Sequence, residues 1–343
     1  MRQDGIAGPD ARRNLGPMRP SSLLLCLALA ACAPRGAPSG AAGDDPHALT
    51  VRVLDVGQGD AIYLTNGGSR VIVDGGPDEA RFGRLLDSVG VHDDTVDAVI
   101  LTHAHADHYR GLRALFESAR HITVRYFFEN GDPSAAKSLH ALRDSVAARV
   151  AEGSLVYRDT DDPCGDGRPI CTLTLRGGAV VHVLRPFPER LTANDRSTPV
   201  KLVGADSASF TMWLAGDAET AAIAWFAGAA GYASDPGMRA NVLKGDHHGS
   251  CNGVTPEYLA AVRPDAAVLS VGAVNDYGHV HDQAKAVYRA AGVPWYRTDR
   301  NGTITITSPG TPGGGYRIAA SRPGTDLAGP SDRAASPRGC EDD

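Results

Sequence analysis

Between residues 49 and 56 the side chains alternate, with Val51, Val53 and Asp55 on one face and Arg52, Leu54 and Val56 on the other. A period of two marks a strand. The run continues to residue 64 and predicts two strands joined at Gly57-Gln58-Gly59-Asp60. A third strand, residues 70–74, follows the hairpin signal Asn66-Gly67-Gly68 and stops at Gly75-Gly76-Pro77. Residues 79–89 read as a helix. Residues 98–101 are apolar throughout, as a strand covered on both faces would be.

Helices are expected at 109–118 and 134–151, with a strand at 122–128 between them. Strands follow near 154–158, 171–176 and 179–184. The second half alternates: strand 210–215, helix 218–228, strand 241–244, helix 255–262, strand 266–271 and helix 282–291. Strands near 294–298 and 302–307 close the pattern. From residue 308 onward the chain is mostly Gly, Pro, Ser and charge, so 309–343 is expected to be a low-complexity tail, disordered at least from 322.

The first residues follow a different logic. Met18-Arg19-Pro20 leads into an apolar run too short to span a bilayer, ending in Leu29-Ala30-Ala31-Cys32. That ending resembles the bacterial lipobox. It implies a signal peptide over 1–31, lipid on Cys32, a flexible tether over 32–48, and an exported protein held on the cell envelope. No further transmembrane segment is expected. Export makes disulfides feasible, and Cys164 and Cys171 flank a Gly/Pro turn where a bridge is plausible; Cys251 and Cys340 are expected to be free.

Composition changes this picture little. The chain of 343 residues is 42% hydrophobic and 22% charged, as globular proteins are, and its formal net charge of −6 makes no global case for binding a polyanion.

Candidate chemistry centres on Thr102-His103-Ala104-His105-Ala106-Asp107-His108. Three imidazoles and a carboxylate crowded together are the usual ligands of zinc or a similar divalent ion. Other His and Asp residues also fall just after strands: Asp217 after 210–215, His247-His248 after 241–244, and the stretch to His279 after 266–271. Ligand sites of α/β proteins gather outside the carboxyl ends of strands, so these positions suggest one convergent site. Taken singly they are less specific. Asp217 also fits a helix N-cap, and Asn194 and Ser197 fit turn residues.

Together these stretches resemble the metallo-β-lactamase superfamily, and more closely the hydrolase domain of ComEC-type competence proteins. The resemblance is carried by Val53-Leu54-Asp55-Val56-Gly57-Gln58-Gly59-Asp60, Ile72-Val73-Asp74-Gly75-Gly76, the HxHxDH stretch, Asn194 with Ser197, Gly216-Asp217, His247-His248-Gly249-Ser250, Gly278-His279 and Asn301-Gly302. It implies an α/β fold, the four-layer αββα sandwich, over residues 49–308. It also implies two divalent metal ions, zinc or manganese. His103 and His105 would hold one, Asp107, His108 and His247 the other, with Asp217 bridging. Asp107, His279, Asn194, Ser197 and His248 would serve catalysis, with Asp55 and Asp74 as structural support. The implied activity is metal-dependent hydrolysis, favouring a phosphodiester or nucleic-acid substrate. A lactonase or β-lactamase type of acyl hydrolysis, or a metal-binding lipoprotein without turnover, are the alternatives.

One departure matters. Most zinc hydrolases of this fold supply a further His to the first metal from a Gly-His turn. Between His108 and Asp217 this chain offers only His121, His140 and His182, none in such a turn.

Overall fold

The computed structural model describes residues 45–324 apart from 190, 235 and 236. The expected signal peptide, the lipid site at Cys32, most of the tether, Cys340 and the last part of the tail lie outside the described residues.

In chain order the first half runs β1 (Leu49–Val53), β2 (Ile62–Asn66), β3 (Ser69–Val73), α1 (Glu79–Ser88), β4 (Thr95–Ile100), α2 (Ala106–Tyr109), β5 (Thr123–Glu129), α3 (Lys137–Ala151), β6 (Val156–Asp159), β7 (Ile170–Thr174) and β8 (Val180–Leu184). The second half runs β9 (Val200–Val203), β10 (Thr211–Leu214), α4 (Thr220–Ala227), β11 (Val242–Lys244), α5 (Pro256–Val262), β12 (Ala266–Leu269), α6 (Asp282–Ala290), β13 (Trp295–Arg297), α7 (Thr298–Asn301), β14 (Ile304–Ser308) and β15 (Arg317–Ala320). One sheet has the order β15-β14-β1-β2-β3-β4-β5-β6, the other β13-β12-β11-β10-β9-β8-β7.

Alternation along the strands builds the layers. In β4, Ala98 and Ile100 join an apolar cluster shared with Met212, Leu214, Val242 and Val268 of the second sheet. The intervening Val99, and Leu101 beyond the strand, face Phe82 and Leu86 of α1 and Leu139 and Leu142 of α3. Hence the uninterrupted apolar run in the sequence: both faces of β4 are covered. The outer face of the second sheet, with Trp213, Leu243 and Leu269, packs on Ile223 and Phe226 of α4, Leu259 of α5 and Tyr288 of α6. The result is the expected αββα sandwich.

β3, β4 and β5 are parallel, as are β10, β11 and β12. The segments leaving β3 and β4 therefore emerge on one edge of their sheet, and those leaving β10, β11 and β12 on one edge of theirs.

Four expectations need correction. Residues 109–118 do not form an α-helix: α2 is a single turn, and Arg110–Phe116 continues as a 3-10 helix. An α-helix would pair the Gly111 N–H with the Asp107 carbonyl. Instead Gly111 N–H donates to the Gly76 carbonyl (2.9 Å), and the Asp107 carbonyl accepts from Asp60 N–H (3.2 Å). The expected tail contains β15, which pairs antiparallel with β14. Finally, Cys164 and Cys171 are free thiols. Their turn is closed instead by Asp162, whose Oδ1 accepts from the backbone N–H of Gly165, Asp166 and Gly167. Burial, then the neighbouring Cys164, pushes the Cys171 thiol up to about 12. Cys251, expected to be free, is disulfide-bonded.

Candidate metal centre

Four strand ends deliver the donors. Asp74 follows β3, His103 and His108 follow β4, Asp217 follows β10, and His248 follows β11. The two sheets meet at Asp217, whose Oδ2 lies 3.1 Å from His108 Nε2, 3.1 Å from His248 Nε2 and 3.8 Å from His103 Nε2. Asp107 Oδ2 is 3.2 Å from His248 Nε2. One ligand atom each from Asp60, His108, Asp217 and His248 lies within 4.8 Å of the others, and all four residues are buried.

Each inner imidazole is held by its other nitrogen. His108 Nδ1–H donates to Asp74 Oδ2 (2.8 Å), and His248 Nδ1–H to the Ser270 carbonyl (2.9 Å). The Thr102 hydroxyl donates to Asp74 Oδ2 (2.7 Å), so it accepts from His103 Nδ1–H (3.2 Å). With Nδ1 carrying the proton in all three rings, each neutral imidazole turns an Nε2 lone pair toward Asp217. Hydrogen bonds of this kind fix and strengthen metal-binding imidazoles.

The donor set fits a divalent cation. His103 Nε2 and Asp217 Oδ1 are buried without a hydrogen-bond partner, an expensive condition unless something cationic meets them. Protons mark the same spot. Burial alone would push His108 and His248 down, but Asp217 and the neighbouring carboxylates raise both well above the usual histidine range. Asp217 is held well below the usual carboxylate range: burial would raise it, and His108 and His248 outweigh that. Burial, and then His108, keeps His103 well below its ordinary value, and therefore neutral.

The expected distal ligand, His247, stands apart from this cluster. Its Nδ1–H donates to Asn252 Oδ1 (3.1 Å), and its Nε2 lies 3.5 Å from Asn194 Nδ2. Its neighbour His248 faces Asp217 instead. His105 is exposed beside His103, ring centroids 4.7 Å apart. Ser197 reaches the site through the backbone: its hydroxyl accepts from Asp217 N–H (3.0 Å). Asn194 Nδ2–H donates to Glu219 Oε1 (2.7 Å). His121 and His140 are exposed, and His182 sits on β8 against Thr172, so no further His reaches His103.

Residues around the centre also carry structure that spacing alone did not reveal. Asp60 and Lys244 form a wholly buried ion pair (2.6 Å); the glycine-flanked acid of Gly59-Asp60 was its one sequence signal. Gly59 has φ +131, and a Cβ there would lie 2.2 Å from the Asp107 carbonyl, so only glycine lets this loop touch the metal motif. Asp55 pairs with Arg81 (3.0 Å). His281 is buried, its Nε2–H donating to the Tyr277 carbonyl (3.0 Å).

A cleft of about 390 Å³ opens over the centre. Gln58, His105, Asp107, Asn194, Asp217, His247, His248, Tyr277 and His279 line it. Gln58 Oε1 accepts from Gly272 N–H (3.1 Å), which orients its amide so that Nε2–H donates to His279 Nδ1 (3.3 Å). A neutral His279 therefore carries its proton on Nε2.

Residues 54–126 match the metallo-beta-lactamase superfamily. ComE operon protein 3 of Bacillus subtilis is 28% identical over 279 residues, which are 74% of this chain and 32% of that protein. Competence protein ComA of Neisseria gonorrhoeae is 24% identical over 296 residues, 85% of this chain and 36% of that one. The chain thus spans about a third of the length of these curated relatives. Among solved structures, the metallo-beta-lactamase fold protein YhfI from Bacillus subtilis aligns with a TM-score of 0.44 at 14% identity, over 73% of this chain and 95% of that one. Human tRNase Z, short form, aligns with a TM-score of 0.40 at 16% identity, over 64% and 91%. No helix among the described residues is long and apolar enough to cross a membrane.

Proposed function

We propose that this chain, which is similar to metallo-β-lactamase-superfamily proteins and to ComEC-type competence proteins, is a metal-dependent phosphodiesterase. The observation that carries the proposal is the ring of three Nε2 atoms around Asp217 Oδ2, with His103 Nε2 and Asp217 Oδ1 left unpartnered. Asp107, His108 and His248 would hold one divalent ion, His103 and His105 the other, with Asp217 between them. His248 takes the role first expected of His247. When bound, such ions lower the pKa of a water and neutralise charge on phosphoryl oxygens.

The remaining roles belong to side chains of the cleft. Asp107 is part exposed there and able to take a proton from an attacking water. His279 would donate a hydrogen bond from Nε2–H to the leaving oxygen and stabilise the charge building there, while that oxygen takes its proton from solvent. Asn194 would orient the substrate, and Ser197 would hold Asp217 in place. The donors near Asp217 include three carboxylates, Asp60, Asp107 and Asp217, so the centre is rich in oxygen. That composition suits hard ions such as manganese as well as zinc.

The decisive experiment loads the protein with zinc or manganese and measures metal content alongside turnover of bis(p-nitrophenyl) phosphate, single-stranded DNA, nitrocefin and a lactone. Phosphodiester hydrolysis is expected, falling about a thousandfold in Asp217→Ala. Turnover of the lactone or nitrocefin alone, or wild-type rates in Asp217→Ala, would overturn the proposal.

A further inference from the structure

Among the described residues, the walls of the cleft contain neither Lys nor Arg. Lys244, near the centre, is wholly buried against Asp60. The loop over the cleft, residues 272–281, carries one acid, Asp276, exposed, and no Lys or Arg. Proteins that track a nucleic-acid backbone do so with rows of Lys and Arg that displace counterions. Among the described residues, no such row lines this cleft.

Its rim offers apolar surface instead. Tyr277 is 46% exposed and Val274, on the same loop, 82%. Tyr277 is held in place: its ring stacks on His279, centroids 5.5 Å apart and planes 25° from parallel. Its carbonyl is tied to His281, and Asn275 Nδ2–H donates to the carbonyls of Gly272 and His279. A rigid, half-exposed aromatic ring at the mouth of a polar cleft is a stacking platform.

We propose that Tyr277 is the specificity-determining residue, seating a planar group on one ester arm of a small phosphodiester whose phosphate lies at the metal centre. This rests on the phosphodiesterase reading above and narrows it to substrates the size of a dinucleotide or an aryl ester. The phosphate would be recognised by the metals and one arm by the ring, so binding would depend little on salt or on chain length.

The test compares a dinucleotide, an oligonucleotide of about 30 residues and glycerophosphocholine, at about 50 and 300 mM salt, using metal-loaded wild type, Tyr277→Ala and Tyr277→Phe. For the dinucleotide, Tyr277→Ala is expected to raise KM about tenfold with kcat kept, and Tyr277→Phe to behave as wild type. Glycerophosphocholine, which has no planar arm, should not respond to either variant. Calorimetric binding of AMP should weaken in parallel in Tyr277→Ala. A kcat/KM that climbs with oligonucleotide length and falls at least about tenfold with salt would overturn the proposal. So would an unchanged KM in Tyr277→Ala. Absence of turnover on every phosphodiester would strike the phosphodiesterase reading itself.

Discussion

His247 and His248 are neighbours in the chain, and both have left-handed backbones, φ 45 and 54. Each such conformation costs about 1–3 kcal/mol for a residue with a side chain, and such strain is typical of functional sites. Two successive left-handed residues send their rings in different directions: His248 toward Asp217, His247 toward Asn252 and Asn194. Spacing shows that a histidine pair follows β11 but carries no sign of this twist, so it does not tell which of the two rings faces Asp217. Asp217 was easier to place, because it follows directly on an apolar strand. Elemental analysis separates the pair. His248→Ala should bind about one metal equivalent fewer than wild type, with affinity at the remaining site lowered about 10- to 100-fold. His247→Ala should keep its metal content. The reverse pattern would return His247 to the expected role.

Among the elements, strands and most helices were legible because their apolar periods are local. The exceptions were decided by distant partners. The 3-10 helix Arg110–Phe116 exists because Gly76 and Asp60 take the hydrogen bonds an α-helix would use. β15 is a strand because β14 lies beside it, although its own sequence is weakly apolar. The partnership of Asp60 with Lys244 could not be read from spacing either, since it joins the β1–β2 loop of one sheet to β11 of the other. Burial would push Lys244 down, but Asp60 raises it, so both groups remain charged inside the protein. Removing one partner strands a buried charge. In urea unfolding of chelator-treated protein, Lys244→Met should lose about 3–5 kcal/mol. Asp60→Asn with Lys244→Met should recover much of that loss. If the double variant is as unstable as the two single losses added together, the pair is not coupled and the tie between sheets is elsewhere.

For the whole molecule, the metal centre couples stability to pH in opposite directions with and without a cation. Without metal, His108 and His248 have folded pKa values raised above the ordinary histidine value of about 6.5. Their stabilisation is complete below that value and is lost as pH rises through the raised folded values. The depressed carboxylates Asp107 and Asp217 stabilise above about pH 3.9 and lose that contribution as pH falls through their folded values. The contributions of these four groups coexist between about pH 4 and 6.5, while His103, held below its ordinary value, opposes them as pH falls below about 6.5; the melting temperature of metal-free protein should fall from about pH 6.5 toward pH 8.5. A cation needs the same imidazoles deprotonated, so its binding strengthens as pH rises and releases protons. The gain in Tm on adding zinc or manganese should consequently be larger at pH 8.5 than at pH 6. Calorimetry in buffers of different ionisation enthalpy should register the released protons. A metal-induced gain that is the same at both pH values, with no proton release, would mean that the cation does not replace protons on His108 and His248, and the centre would have to be sought elsewhere in the cleft.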